Sequence, residues 1–332
     1  MPASCKMGLW LPFILVAYGS LRDGRAQMNL LTLAESQQIL EKLTVFQLSE
    51  GRGECPGFDV AADQAPERFT LQLRGFCPPE GFAGSTLIGN FAVDRTTGKL
   101  LNWVSGKPED SAPEVDGLAR ALVVQARARA LSASEAECVA RRVASDDLPI
   151  RDALTVVRRD WNPGRPVEFD IRHPLDTPSG MTEWTVAVDA GVPAVFFGPY
   201  EAVPSVAVTE LLSWLRETRV TPALSIPESI EVAAKVPGVT VLLPGSCSKL
   251  LASAFGTSRK RFITIEDTCQ AYPRSLRVVA AVDVLTGNVT APGTRMVMDS
   301  PASMALAQEF LRRAAVRIAE ARANIERVCR VK

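Results

Sequence analysis

Phe91-Ala92-Val93-Asp94-Arg95-Thr96-Thr97-Gly98-Lys99-Leu100 spells a strand, a turn and a returning strand in ten residues. Aspartate opens such a turn by accepting bonds from the backbone amides that follow it, and glycine supplies the positive φ that closes it. Ala280-Ala281-Val282-Asp283-Val284-Leu285-Thr286-Gly287-Asn288-Val289 repeats the pattern. Between them, Val186-Ala187-Val188-Asp189-Ala190-Gly191-Val192 carries a shorter turn. Asp94, Asp189 and Asp283 lie 95 and 94 positions apart. One hairpin signal is generic, but three at a common period indicate internal repetition.

Other signals keep that period. Thr32-Leu33-Ala34-Glu35, Ser132-Ala133-Ser134-Glu135 and Ser225-Ile226-Pro227-Glu228 each fit the S/T-x-x-E capping box that opens a helix. After each hairpin comes a proline suited to a first helical turn: Pro113, Pro204 and Pro301. Apolar residues three or four apart follow, as in Val115, Leu118 and Leu122, or Val208, Leu211 and Leu215. The last such stripe is Phe310, Ala314, Ile318, Ala321 and Ile325. Strands are expected at Phe69–Leu73, Leu154–Arg159, Val167–Arg172 and Phe262–Ile265, with loops at Ser105–Ala112 and Arg172–Gly180. The expectation is an α+β chain of three tandem repeats, each a helix, antiparallel strands with an Asp-Gly hairpin, and a helix. The units fall at 27–131, 132–220 and 221–332 and should pack as a short array.

Residues 1–26 read as a signal peptide: Lys6 precedes the apolar run Gly8–Tyr18, whose 11 residues are too few to span a bilayer. Cysteine spacing agrees with export. Cys55 to Cys77 and Cys247 to Cys269 are each 22 positions, and the intervals to Cys138 and Cys329 are 61 and 60. Equivalent cysteines should behave alike, so Cys55–Cys77 and Cys247–Cys269 are the expected local bonds, leaving Cys138 to join Cys329. The mature chain is therefore expected to be secreted or periplasmic, with no membrane span once the signal is removed.

The strand pair V-D-x-x-T-G-x-[VL], written at Val93–Leu100 and Val282–Val289 and in part at Val188, Asp189 and Gly191, resembles the PepSY domain of exported bacterial proteins. The resemblance covers about ten residues in each of two units. It implies a non-catalytic module that binds or inhibits peptidases, or an accessory region of a larger protein. Cysteines at these positions are not part of the PepSY pattern.

The 332 residues are 47% hydrophobic, with Lys+Arg and Asp+Glu both at 37. That composition excludes a disordered chain and leaves no global field for nucleic acid. The single histidine, His173, sits in Arg172-His173-Pro174 just beyond an expected strand, with Asp170, Asp176 and Ser179 as its only nearby partners. No nucleophile elbow supports a hydrolase there, and His173 reads as a surface residue at a strand end. No C-x-x-C pair, phosphate loop or dinucleotide fingerprint occurs, so no metal or cofactor is expected. Arg312, Arg313, Arg317, Arg322, Arg327 and Arg330 interleave with Glu309, Glu320 and Glu326 and read as a solvated helix face. The function expected is an exported, non-catalytic binding module with a protein or peptide partner, peptidase-inhibitor-like in its sharper form. The alternatives are a hydrolase working through carboxylates alone and a structural component of an envelope assembly.

Overall fold

The structure, a computed structural model, describes residues 30–60, 67–77, 85–147, 155–159, 167–174, 181–189, 194–197, 200–201, 204–242, 248–267, 277–294 and 296–330. The expected signal segment, Gly191, Cys247, Cys269, Asp176 and Ser179 lie outside them. The fold is α+β with antiparallel sheets.

The first third holds helices α1 (Leu33–Leu40) and α2 (Thr44–Gly51), strands β1 (Pro56–Val60), β2 (Arg68–Gly75), β3 (Thr86–Asp94) and β4 (Leu100–Leu101), and helix α3 (Pro113–Ala128). The middle holds α4 (Ala133–Asp146), β5 (Thr155–Arg158), β6 (Val167–Pro174), β7 (Met181–Asp189), β8 (Ala194–Phe197), β9 (Tyr200–Glu201) and α5 (Val206–Glu217). The last third holds α6 (Ile226–Ala234), α7 (Pro237–Thr240), β10 (Ser248–Gly256), β11 (Lys260–Asp267), β12 (Arg277–Asp283), β13 (Val289–Thr290) and α8 (Pro301–Cys329).

The leading helices α1, α4 and α6 start where Thr32, Ser132 and Ser225 cap them, each hydroxyl accepting from the backbone of a glutamate three residues on, which reaches back in turn. A buried leucine precedes each cap: Leu31, Leu131 and Leu224. Pro113 and Pro301 occupy first turns, but Pro204 stands outside its helix. Ser205 caps α5 instead, because its hydroxyl can accept from the Val208 amide and proline offers no such group.

The sheets depart from a sequential array. The first meander (β1–β4) and the last (β10–β13) fuse through antiparallel pairing of β1 with β10, in the order β13-β12-β11-β10-β1-β2-β3-β4. The middle meander forms its own sheet, β5 to β9 in sequence order. The expected strands at Phe69–Leu73, Val167–Arg172 and Phe262–Ile265 lie within β2, β6 and β11; β1 and β10, the strands that make the fusion, were not foreseen. The expected loop at Arg172–Gly180 also begins too early, because β6 stays in register with β7 as far as Pro174. His173 is thus inside a strand, its backbone opposite Thr182, and not beyond one.

Cores form where alternation buries one face of each sheet under its helices. Phe58, Leu71, Leu73 and Val93 meet α1 and α3; Phe169, Ile171, Val186 and Val188 meet α4 and α5; Ile263, Ala280 and Val282 meet α6 and the start of α8. Each such large side chain fully removed from water contributes about 1.5–3 kcal/mol. Helix α8 runs for 29 residues, so its first half packs on the last meander through Ala307 and Phe310 while Ile325 and Val328 reach the middle core.

Candidate functional site

The fusion of β1 with β10 frames a cleft. Strand β11 alternates: Ile263 points to the helical core, whereas Phe262 points to the opposite face with Ala281. Cys55, Phe76 and Cys77, at the ends of β1 and β2, cross onto that opposite face and close around Phe262. The Phe76 and Phe262 rings lie 5.9 Å apart at 58°. Cys55 and Cys77 are disulfide-bonded with their Cα atoms 5.2 Å apart, which ties the two strand ends together. Beside this cluster, between α2 and the last meander, lies a cleft of about 580 Å³ lined by Phe46, Glu50, Cys55, Lys260, Phe262 and Thr290, among others.

Close backbone contact sets one wall. A Cβ added to Gly293 would meet the Gly53 carbonyl oxygen at 2.5 Å and the Cys55 Sγ at 3.3 Å. Only glycine lets the loop after β13 approach the chain entering β1 this closely. Across the mouth, Lys260 Nζ lies 3.5 Å from Glu50 Oε1. Behind it, the Glu41 carboxylate accepts from the Ser258 amide at 2.5 Å and from its hydroxyl at 2.9 Å. Burial pushes the Glu41 carboxyl above the ordinary glutamate range, against the lowering effect of those two bonds. The seam is thus fastened by one ion pair, one carboxylate clasp and an aromatic contact.

Among the described residues lining the cleft, the titratable side chains are Glu50 and Lys260, and these face each other. Such a cleft offers an apolar floor, threonine hydroxyls and one pair of opposite charges. Such features can make apolar, hydrogen-bond and charge contacts to whatever enters the cleft. No group of three or more His, Cys, Asp or Glu placed to hold a metal occurs among the described residues.

Among the described residues singled out in the sequence, Cys55 lies in the cleft wall and the others lie elsewhere. Asp94 Oδ1 accepts from the Thr96 and Thr97 amides at 2.8 and 2.7 Å, and Gly98 follows at φ +71°. Asp283 Oδ1 accepts from Leu285 and Thr286 at 2.9 and 3.0 Å, with Gly287 at φ +78°. These carboxylates are turn formers. Asp189 ends β7. Asp170, the described neighbour of His173, is engaged by Arg159. Cys138 on α4 is disulfide-bonded to Cys329 at the end of α8, their Cα atoms 5.4 Å apart. On α8 itself, Glu309 pairs with Arg312 and Arg313, which lower its carboxyl to about 2. No helix among the described residues is long and apolar enough to cross a membrane.

The cleft was missed because its lining comes from 46–56 and 257–294, which share no motif. The readable signals nearby were the glycines and the Cys55–Cys77 spacing, and neither points to a cavity. No protein-family model, curated protein or solved structure matches the chain.

Proposed function

We propose that the chain is an exported binding module made of three copies of one PepSY-like unit, and that it receives a protein or peptide partner in the seam cleft. The observation that carries this reading is the cleft itself, about 580 Å³ walled by two meanders at once, with an apolar floor and an ion pair at its mouth. That size accommodates several side chains of an extended segment. The recurring capping boxes and the two Asp-Gly turns with matching hydrogen bonds support the repeat. The two disulfides support an oxidising compartment. A peptidase is the sharper form of the partner, on the strength of the V-D-x-x-T-G turns alone.

Titration against a pool of unstructured peptides tests the proposal. Thr294, exposed at the cleft, is replaced by Trp to fill the cavity while leaving the core intact. Binding by the native chain that falls about tenfold or more in Thr294→Trp, at unchanged melting temperature, is the expected result. Equal affinity in both proteins moves the site off the cleft. Absence of any peptide or protein binding ends the reading as a module of this kind.

A further inference from the structure

Strands β1, β5 and β10 hold the same place, first in their meanders and two strands before the one that ends in Asp94, Asp189 or Asp283. Two of the three are joined: β1 and β10 lie side by side, antiparallel, at the centre of an eight-stranded sheet, with Phe58 opposite Gly256. The third, β5, is terminal in its sheet, and among the described residues no strand lies on its outer side.

The register shows what β5 offers there. The Arg159 amide donates to the Glu168 carbonyl at 3.0 Å, and Val157 stands opposite Asp170 in the same ladder. Hydrogen-bonded pairs alternate along an antiparallel ladder. Residues 155, 157 and 159 therefore turn their backbone groups toward β6, and Val156 and Arg158 turn theirs outward. Val157, a β-branched side chain on this strand, is 38% exposed. An open edge of this kind is a template for another strand.

We infer that β5 pairs antiparallel with β5 of a second copy of this chain, about a two-fold axis through Val157. The inference rests on the equivalence of the three first strands. The occupant follows from the fold, because where two such edges are present in one molecule they pair with each other in this orientation. The two-fold arrangement is self-complementary. Val156 and Arg158 would each exchange both backbone bonds with Arg158 and Val156 of the partner subunit, four bonds in all by this alternation. Val157 would face its own symmetry mate as a close, non-hydrogen-bonded pair. Arg158 would face a valine and not another arginine, and Arg159 is already neutralised by Glu168 and Asp170.

Sedimentation of the full chain up to roughly 100 µM tests the inference by mass action, together with two variants. Arg158→Pro removes an outward amide and leaves the bonds to β6 in place, as proline on an edge strand can. A native dimer whose association weakens about tenfold or more in Arg158→Pro is expected. Val157→Cys should cross-link under mild oxidation into a species of twice the chain mass, and Thr155→Cys, which faces residue 159 in this register, should not. Should Arg158→Pro fold poorly, Val157→Lys replaces it, since like charges on the axis must repel. A monomer at every concentration, a dimer indifferent to these changes, or equal cross-linking at 155 and 157 overturns the inference. Occupation of the β5 edge by a foreign peptide also overturns it. None of these results bears on the cleft, whose variant lies in the loop after β13, away from the sheet of β5.

Discussion

The first and last meanders solve one problem with different residues. In both, the carbonyl of the leucine before the leading helix, Leu31 or Leu224, receives a bond from an arginine side chain. In the first meander the donor is Arg95, one residue after the turn aspartate, and its guanidinium lies 4.5 Å over the Phe69 ring. In the last, the residue after the turn aspartate is Val284, and the donor is Arg261, which holds the register position of Phe69. Arginine and apolar side chain have exchanged places across the strand pair while the bond to the leucine carbonyl persists. Burial lowers the pKa of both guanidinium groups, so both are held against a desolvation cost. The exchange has a residue of its own. Arg261 also donates to Ser229 Oγ at 2.9 Å, whereas the matching hydroxyl, Ser36 Oγ, is buried with no partner among the described residues. What is common to both meanders is thus a bond to be made, and the residue that makes it is free to move.

The largest effect should come from the turns, where the two meanders are most alike. A Cβ on Gly287 would lie 2.2 Å from the Ala307 Cβ, and one on Gly98 would lie 2.9 Å from the Ala119 Cβ, both at positive φ. Left-handed backbone costs about 1–2 kcal/mol and overpacking about 1–3 kcal/mol. Gly287→Ala should therefore lose about 3–4 kcal/mol in denaturant unfolding and Gly98→Ala about 2 kcal/mol. Equal losses would mean that the helices yield and that the tighter contact in the last meander is unimportant.

The exchanged arginines give a change of sign. Ser229→Ala removes an acceptor from a half-buried guanidinium and should cost about 1–2 kcal/mol. Ser36→Ala deletes a buried hydroxyl with no partner among the described residues, so it should be neutral or stabilising by up to about 1 kcal/mol. Paired thermal melts decide it, and a loss of the same size in both variants would show that Ser36 has a partner after all.

The smallest effect concerns a clasp that runs one way only. Glu41 reaches Ser258 across the seam, while the residue at its place in the last third is Ala234 and can return no such bond. A carboxyl raised by folding binds more protons in the folded state, so its contribution is present at low pH and declines as pH rises through the raised value. Glu135 is the opposite case. Its burial alone would raise it, but bonds from Arg219 and Ser132 outweigh burial and lower it, so its contribution is lost as pH falls through the acid range. Stability measured from pH 3 to 7 should favour Glu41→Gln progressively over the native chain as pH rises, and disfavour Glu135→Gln. Parallel pH profiles for the two variants would break the contrast between Glu41 at the seam and Glu135 on α4.

Local chemistry made much of this legible. A capping box, an Asp-Gly turn and the stripe from Phe310 to Ile325 each act over a few residues, so their meaning survives without the fold. Strands β1 and β10 do not carry their own evidence. Pro-Gly-Phe-Asp-Val and Ser-Lys-Leu-Leu-Ala-Ser-Ala-Phe-Gly lack clean alternation; at β1 the face opposite the helices is covered by Phe76 and Phe262, so it is not a solvated polar face. The pairing of Phe58 with Gly256 joins residues almost two hundred positions apart. The cleft depends on that pairing, and so it was as invisible as the seam that makes it.

The bond between Cys138 and Cys329 has a topological meaning as well as an energetic one. It closes a covalent ring of 191 positions that contains most of the middle third and nearly all of the last. A protease that cuts once anywhere inside this ring opens it without releasing a fragment. The two ends stay tethered, and the nicked chain keeps its mass on a gel until a reductant is added. For a protein expected to meet peptidases, a first cleavage is then a local wound and need not be the loss of a domain.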